Sequence, residues 1–529
     1  MKKTLLLSSI LLLTSGSLSA FQPSYHPETI LQTISSNGKW AVSENYGTVV
    51  IVDLENNKSY TLAGAEGFQY SLGVGNCVSD NGIVGVQSPD TYDITIWNNG
   101  TWVALPMLSK ESTGWVNGVN PDGSRIIGKI TDYDFGAYNS PCVWTLQEDG
   151  NYKISLLPLP NEGKDFTGRE AQFITVTHIS DDGKTAVGQL QEYRGFISQP
   201  VVYKEGEDGA WTAEIVHPEL LQASQPFPEY PGDDTPIPSE ENYMTDDEMN
   251  AFNEAELEWR ANGSNPDEVP LYWDFMGEES RAAYNAAKAI FDEWQAKFDA
   301  YYDVYFQTIE NGTTFALNAN YLSPNGRYFA QMEGDVYTAG KGMVFDLETG
   351  EYFSETSFCK YYDDGTAVMA SMIRPAGATD FISFRDYVAE KAPAVKAWIE
   401  EHGTENDAPG NWYGGTLTAS SNLKVFTTVF TSSFSGQTQL PDSWSYVFDL
   451  TYGDESGIHE VAKAEGLKLS AAGSTLLLEG EPADLEVYDL SGRLVFSAKA
   501  AQGAVETGLD SGVYVVRAGE KNYKLKMAR

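Results

Sequence analysis

The chain has few of the residues from which metal and redox centres are built. Its 529 residues include three cysteines, Cys77, Cys142 and Cys359, and five histidines. The cysteines are widely scattered and have no metal-ligand spacing. Each lies in an apolar or aromatic strand-like segment, where a thiol packs as a small hydrophobic group. We therefore expect buried thiols in preference to a disulfide, and no zinc centre.

Basic residues are also scarce. The chain has 34 Lys and Arg against 75 Asp and Glu, a net charge of −41. Nucleic-acid binding needs clustered cations, so this class of function is excluded, and an anionic membrane surface is disfavoured for the same reason. The charge suits a soluble exported protein and is compatible with a divalent cation or a basic partner. No motif requires a cofactor, so the cofactor stays unknown.

No apolar run is long enough to cross a bilayer. The longest one at the N-terminus, residues 5–13, follows Lys2 and Lys3 and precedes the small residues 17–20. This order predicts a signal peptide over residues 1–20 and no transmembrane segment. We expect the mature protein to leave the cytoplasm.

A short motif recurs along the rest of the chain: an Asn or Asp followed by Gly, with Ile, Val or Leu four positions before the glycine in most copies. Six copies contain the turn pairs Asn37 and Gly38, Asn81 and Gly82, Asp122 and Gly123, Asp182 and Gly183, Asn325 and Gly326, and Asp364 and Gly365. Each pair predicts a two-residue hairpin with positive φ. A seventh copy has Leu423 in place of glycine, so we expect a different turn there. We number these copies as repeats one to seven.

A second hairpin follows most of these turns. Two hairpins in about 40 residues, repeated, are typical of four-stranded propeller blades. The sequence therefore predicts seven blades over residues 21–450, with a segment near residues 22–25 completing the seventh. Asn120-Pro121-Asp122-Gly123 and Ser323-Pro324-Asn325-Gly326 resemble the SPDG-type repeats of TolB-like and WD40-like propellers. That resemblance implies an architecture, not an activity.

Two insertions interrupt the repeats. Residues 224–312 begin as a proline-rich acidic linker and continue as two helices, the first starting at a capping box on Thr245 and the second spanning about Glu278 to Ile309. The second helix has an aromatic stripe on one face. We favour packing of the stripe on the first helix and the propeller, and the alternative is a recognition arm. A short helical insertion at residues 386–402 is expected to replace the last strand of repeat six.

The C-terminal segment looks like a separate small β unit. Residues 451–466 are predicted to be a linker, and residues 467–529 a β-sandwich. Its motif consists of Tyr488, Asp489, Leu490, Gly492, Arg493, Gly512 and Tyr514. This motif and the basic end of the chain resemble the C-terminal sorting domain of the type IX secretion system. The resemblance implies an immunoglobulin-like fold, the type IX secretion machinery as a partner and export to the surface of a Gram-negative bacterium. An ordinary sandwich module is the alternative.

The usual catalytic motifs are absent from the sequence. There is no G-x-S-x-G nucleophile elbow or H-E-x-x-H motif. His178 precedes a repeat strand, so we expect it to be structural, and Asp132, Asp134 and Gly136 fit a turn better than a calcium loop. Carboxylate-only catalysis stays open, because two acids on neighbouring blades need no sequence spacing.

These observations define a fold class and a function. The predicted fold is mainly β: a seven-bladed β-propeller with a helical-hairpin insertion and a small C-terminal immunoglobulin-like β-sandwich. The predicted function is a secreted or cell-surface binding module for an unknown protein or glycan ligand. The alternatives are a polysaccharide- or peptide-active enzyme with carboxylates in the propeller funnel, and a surface-layer or structural protein.

Overall fold

The structure is a computed structural model. It describes residues 23–27, 29–45, 47–62, 70–87, 94–232, 235–334, 339–402, 416–431, 443–451, 467–472, 475–489, 493–509, 512–518 and 521–527. The predicted signal peptide, and all but the first residue of the predicted 451–466 linker, lie outside these ranges.

Short β-strands dominate the described residues. The strands of repeats one to four, with the N-terminal strand, are β1 (Ser24–Pro27), β2 (Leu31–Ile34), β3 (Trp40–Asn45), β4 (Thr48–Asp53), β5 (Lys58–Leu62), β6 (Ser71–Leu72), β7 (Ile83–Val84), β8 (Val86–Gln87), β9 (Thr95–Asn98), β10 (Thr101–Ala104), β11 (Thr113–Val119), β12 (Arg125–Asp132), β13 (Ala137–Leu146), β14 (Tyr152–Leu156), β15 (Phe173–Ile174), β16 (His178–Ile179), β17 (Thr185–Gln191), β18 (Ser198–Glu205) and β19 (Trp211–Ile215).

The remaining strands and the helices follow. The strands are β20 (Phe315–Leu322), β21 (Tyr328–Gly334), β22 (Ala339–Asp346), β23 (Glu351–Glu355), β24 (Lys360–Tyr361), β25 (Ala367–Met369), β26 (Met372–Arg374), β27 (Ile382–Ser383), β28 (Thr416–Ala419), β29 (Val425–Thr431), β30 (Ser443–Asp449), β31 (Leu467–Ala472), β32 (Thr475–Tyr488), β33 (Leu494–Glu506), β34 (Gly512–Ala518) and β35 (Lys521–Met527). The helices are α1 (Asp246–Ala261), α2 (Tyr272–Phe275), α3 (Glu278–Asn311), α4 (Phe384–Lys391) and α5 (Pro393–His402).

The chain divides into two compact units. The first comprises the described residues up to Leu72, then 78–82, then those from Tyr362 onward, and the second comprises 73–77 and 83–361. In the first unit, repeat one forms the antiparallel sheet β2-β3-β4-β5. In the second, repeat two contributes β10-β9-β7 and repeat three β11-β12-β13-β14. Repeats four and five form one nine-stranded sheet, made of the five strands β15 to β19 and the four strands β20 to β23, which are joined where Ser198 pairs with Phe315. Sheets of this size and strand order are the building blocks of propellers.

The repeat turns differ from simple two-residue hairpins. In repeat four, Gly183 has φ 72° and Asp182 does not have a positive φ. The Ser180 amide donates to the Thr185 carbonyl at 2.8 Å, so four residues separate the paired ends. Asp182 acts through its side chain, which accepts from the Ser180 hydroxyl at 2.6 Å and from the Lys184 amide at 3.0 Å. Only the glycine therefore needs the left-handed region.

The seventh turn is of the same kind as the others, contrary to the sequence expectation. Leu423 takes the glycine position with φ 55°. Its amide donates to the Ser420 carbonyl, and the Ser420 hydroxyl donates to Asn422 Oδ1 at 2.8 Å. The local hydrogen bonds therefore impose the turn on a residue that tolerates it poorly.

An N-terminal strand completes the sheet of repeat seven, as the sequence predicts. β1 pairs antiparallel with β30, and the sheet order is β1-β30-β29-β28. Ser445 fixes the approach of this segment, because its hydroxyl donates to the Thr29 carbonyl at 2.8 Å and accepts from the Leu31 amide at 3.0 Å.

The large insertion has the two predicted helices, and the aromatic stripe of α3 packs on repeat four, as expected, and on the proline-rich segment. The capping box is present: Thr245 Oγ1 accepts from the Glu248 amide, and Glu248 accepts from the Thr245 amide at 2.8 Å. Glu248 also binds Gly277 and Ser280 at the start of α3, which lowers its pKa to about 2. Residues 224–232, in the predicted linker, run along α3, and we call this segment the strap. Its Phe227 and Tyr230 contact Tyr301, with ring centroids 5.5 and 5.2 Å away.

The smaller insertion reduces the last strand of repeat six instead of replacing it. β27 is two residues long and pairs with β26. Two helices follow, α4 and α5, and they meet at Ala392 and Pro393, where proline cannot donate an amide to α4. Phe384, Val388 and Ile399 are buried in the core of the first unit.

The C-terminal strands form a five-stranded sheet, β31-β32-β34-β35, with β33 on β32. β32 is one continuous strand from Thr475 to Tyr488, and its pairing with β33 shifts register between Leu478 and Leu485. Of the motif, Leu490 and Gly492 lie outside the described residues. The flanking residues Asp489 and Arg493 are joined by a 3.0 Å backbone hydrogen bond and a 3.1 Å ion pair.

The glycine requirement can be tested with Gly183→Ala and Gly365→Ala. Both glycines have positive φ, 72° and 88°, so each substitution should destabilise the chain by about 1 kcal/mol through backbone strain. A Cβ at position 183 would also lie 2.8 Å from Arg125 Cγ, whereas one at position 365 would meet nothing within 4 Å. Denaturant unfolding should therefore show a larger loss for Gly183→Ala. Equal losses would mean that the contact with Arg125 has no energetic role.

Candidate functional site: a groove beside repeat four

An open groove lies between repeat four and the proline-rich strap, within the second unit. Its cavity volume is about 980 Å³. Its walls come from β18, β19, the 310 turns Pro160–Gly163 and Pro218–Leu221, and the start of the strap. The lining residues are Asn161, Phe166, Thr167, Gly168, Gln199, Glu214, Ile215, Pro218, Glu219, Leu221, Gln222, Ala223, Ser224, Gln225, Pro226 and Phe227. Apolar walls with a few amide groups are typical of ligand-binding clefts.

Gln199 is the polar residue that sets this groove apart. It lies near the start of β18 and is 4% exposed. Its Oε1 is buried and accepts no hydrogen bond within the described part of the chain. An unpaired buried amide oxygen costs about 1–3 kcal/mol. Gln199 lines the groove but its Oε1 is closed off from solvent, so a ligand donor would remove that cost by turning the amide towards the groove.

Aromatic packing holds the strap side of the groove in place. Phe166 stacks on Tyr305 of α3 with a centroid distance of 5.8 Å, and it meets Phe227 edge to face at 5.9 Å. Behind this layer, the Arg169 guanidinium lies between the rings of Tyr193 and Tyr230, 3.6 and 3.7 Å from their centroids. The aromatic stripe of α3 therefore packs on repeat four and the strap, so its C-terminal half is an anchor.

Two buried carboxylates beside this cluster serve the backbone. Asp165 accepts from the Thr167, Arg169 and Tyr193 amides, and Glu192 accepts from the Arg194 and Phe196 amides. Burial raises the pKa of both groups, and the charge of Asp165 adds to the rise for Glu192. Their oxygens are thus committed to fixing the loops behind the groove.

A second polar cluster occupies the inner strands of repeats four to six. His178, Tyr321 and Lys360 are the residues immediately before the apolar position of each repeat. The ring centroids of His178 and Tyr321 are 5.8 Å apart, and Lys360 Nζ lies 5.9 Å from the Tyr321 centroid. His178 Nδ1 is 2.9 Å from Asn320 Oδ1, which fixes Nδ1 as the protonated nitrogen because a carboxamide oxygen only accepts.

The environment of this cluster keeps the imidazole neutral. Burial, and then the charge of Lys360, lower the pKa of His178 to about 4, against the opposing effect of its hydrogen bond to Asn320. Burial lowers the pKa of Lys360 to about 8. His178 is therefore a satisfied buried histidine, which agrees with its expected structural role.

The residues singled out from the sequence lie elsewhere. The repeat-turn residues lie in the turns that precede β3, β7, β12, β17, β21 and β25, and none of them lines the groove. Asp132 fixes a 310 turn, with its side chain accepting from the Asp134 and Phe135 amides and from the Ser109 and Ser112 hydroxyls. All three cysteines are buried, as predicted. No cluster of three or more His, Cys, Asp or Glu side chains suited to a metal occurs within the described ranges.

The sequence did not indicate Gln199 or Ile215. Gln199 lies between Ser198 and Pro200 in an ordinary strand pattern, and the other lining residues of the groove are at least 15 residues away along the chain. The one sequence signal near the groove is the proline-rich segment that begins at residue 224, which the sequence predicts to be a linker.

Comparisons with known proteins complete this description. No family model matches the chain, and no curated protein matches it. Among solved structures, it is similar to TolB of Agrobacterium tumefaciens, at 9% identity over 63% of this chain and 80% of that one, with a TM-score of 0.29. It is also similar to TolB of Acinetobacter baumannii, at 10% identity over 76% and 59% with a TM-score of 0.30, and to the tricorn protease, at 9% identity over 94% and 43% with a TM-score of 0.28. The chain thus spans less than two thirds of the last two proteins. At these values the similarities carry no functional argument, and the chain's own repeated sheets define it as a mainly β protein with propeller-type repeats.

None of the described helices combines the length and apolar character needed to cross a bilayer.

The neutral state of His178 predicts a pH effect on stability. The imidazole pKa is about 4 in the folded chain against 6.5 for an unperturbed histidine, so the unfolded chain binds more protons between these values. Stability should therefore fall as the pH drops from 6.5 towards 4, by about 2 kcal/mol at pH 4.5 from this residue. In His178→Gln, whose amide can still donate to Asn320, unfolding curves at pH 7 and 4.5 should show a smaller difference than in the unmodified chain. If the loss of stability between pH 7 and 4.5 is the same in His178→Gln as in the unmodified chain, the neutral, buried state of His178 is contradicted.

Proposed function

We propose that this protein is a secreted or cell-surface β-propeller that binds a macromolecular ligand in the groove beside repeat four. Seven copies of one turn motif, and the antiparallel sheets to which these turns belong, support the seven-bladed architecture. The helical insertion shapes the ligand site, because its strap supplies one wall and Tyr305 of α3 stacks on the lining residue Phe166. The signal peptide and the C-terminal sorting domain would direct export through a type IX route to the outer surface of a Gram-negative bacterium.

The observation that carries the binding function is the unpaired Oε1 of Gln199. It combines an acceptor without a donor, a groove of about 980 Å³ and apolar walls from Ile215 and Leu221. These are the features of a site that holds a ligand through apolar contact and oriented hydrogen bonds.

Binding is favoured over the enzyme alternative by the buried carboxylates. Catalysis by two carboxylates needs at least one oxygen on each that faces substrate. Those of Asp165 and Glu192 accept backbone amides of their own loops. This arrangement supports a structural role for both acids. The enzyme alternative therefore depends on carboxylates elsewhere in a funnel.

The groove is tested with Gln199→Leu. The purified full chain is screened against a phage-displayed library of random linear peptides and against a glycan array, and retained ligands are measured with the variant. Loss of one ligand hydrogen bond should weaken binding by about tenfold. Gln191→Leu is the matched control, because Gln191 is also 4% exposed with an unpaired Oε1 but does not line the groove. Ligands that bind Gln199→Leu and the unmodified chain equally would contradict a groove site.

The export route is tested by deleting residues 524–529 in the native host. If the chain end is the part read by the secretion machinery, the shortened protein should stay in the periplasm, as measured by cell fractionation and by protease accessibility on whole cells. Lys499→Ala, an exposed change elsewhere in the C-terminal sheet, is the control and should reach the surface. Normal surface delivery of the shortened protein would rule out the sorting assignment.

A further inference from the structure

The outer wall of the groove is the edge strand β19. Among the described strands it pairs with β18 alone. The Val216 amide donates to the Pro200 carbonyl at 2.8 Å, and the Gly206 amide donates to the Ala210 carbonyl. In an antiparallel pair, successive residues alternately direct their backbone amide and carbonyl groups towards the partner strand and away from it. The amide and carbonyl groups of Ala213 and Ile215 therefore point away from β18.

These outward amide and carbonyl groups have no hydrogen-bond partner among the described residues. Neither Ala213 nor Ile215 makes a backbone or side-chain hydrogen bond in the described part of the chain through these groups. Ile215 lines the groove itself. An edge with free amide and carbonyl groups beside an apolar cleft is a template for an added strand.

The lining favours a peptide over a glycan. Sugar rings bind best on exposed aromatic faces. The Phe166 ring, however, already stacks on Tyr305 and meets Phe227 edge to face. What the groove offers is aliphatic surface from Pro218, Leu221 and Pro226, together with side-chain amides. Apolar pockets beside an open edge suit the alternating side chains of an extended chain.

Charge adds a preference for basic peptides. Glu214 and Glu219 are the charged residues of the lining, and both are acidic. The whole chain carries a net charge of −41, which attracts cations over distance. Glu219 already bonds His217 Nδ1 at 2.7 Å, which leaves Glu214, an exposed neighbour of Ile215, as the first acid that a basic side chain would meet.

We propose that the groove binds an extended, basic peptide segment of a partner protein as an additional strand on β19, paired with the backbone of Ala213 and Ile215. This proposal rests on the proposed binding function and names its ligand class. The peptide would bury apolar side chains against Leu221 and Phe227 and place a donor on Gln199 Oε1.

The decisive variant is Ile215→Pro. It removes an amide that points to the groove and no hydrogen bond of the sheet, so the fold should tolerate it as edge strands tolerate proline. Leu156→Pro is the matched control. In repeat three, the Leu157 amide donates to the Pro141 carbonyl at 2.8 Å, so Leu156 is the counterpart of Ile215 on the edge strand β14. Leu156 does not line the groove.

Peptides retained from the phage-displayed library are measured against both variants by fluorescence anisotropy. We expect Ile215→Pro to weaken binding by about tenfold and Leu156→Pro to leave it within about twofold. Circular dichroism and thermal unfolding establish that both variants fold.

A second measurement leaves the protein unchanged. The same peptides are synthesised with N-methyl groups on every second residue, in both registers. Strand addition predicts that one register abolishes binding and the other preserves it, because only alternate amides of an added strand face its partner. The N-methyl peptides therefore test strand addition on β19 even where a proline variant fails to fold.

The outcomes separate the two proposals. Peptide binding that falls in Gln199→Leu but is insensitive to Ile215→Pro and to both N-methyl registers would overturn strand addition and leave the groove as the site. Glycan binding that depends on Gln199, without peptide binding, would do the same. Ligands insensitive to Gln199→Leu would overturn the proposed function itself.

Discussion

In five of the seven repeats, a serine three positions before the turn glycine or Leu423 donates a hydrogen bond to the acid or amide two residues later, and the sheets of these repeats depend on this bond. In repeat one, Ser35 Oγ donates to Asn37 Oδ1 at 2.9 Å and accepts from the Trp40 amide at 3.0 Å. One hydroxyl thereby joins the incoming strand, the turn and the returning strand. A glycine or, at Leu423, a strained leucine then completes the turn. Because each copy is locally satisfied, every repeat can form its own hairpin before the long-range contacts exist.

The same turns also connect neighbouring repeats. The Asn37 amide donates to Asp80 Oδ1 at 2.8 Å, and the Asp181 amide donates to the Pro324 carbonyl at 2.6 Å. The acidic and serine residues that make the motif look catalytic are thus used in holding repeats in register. A function must come from segments that depart from the motif. The largest departure is the insertion after repeat four, and its strap forms a wall of the groove.

The arrangement at repeat four illustrates how an insertion creates a site. A regular repeat would leave β19 as a plain outer edge. Here Phe166, Tyr305 and Phe227 fix the strap near that edge, and Arg169 supports them from behind between two tyrosine rings. Rigid aromatic and cation–π contacts hold the wall without narrowing the opening, so an extended ligand would meet a preformed cleft at a low ordering cost.

Much of this protein follows from its sequence because the signals are local. The repeat turns, the capping box at Thr245, the long helix over Glu278–Asn311 and the edge strand beside repeat seven depend on residues within one hairpin or one helical turn, or on the count of strands in a repeat. Other features depend on contacts between residues far apart in the chain. The proline-rich segment lies along α3 because rings some 70 residues away receive it, Leu423 adopts a turn that its side chain disfavours, and Gln199 lacks a partner because no described segment brings a donor to it. Sequence patterns record local preference and burial, whereas which polar atom is left unsatisfied is decided only when the tertiary structure brings distant segments together.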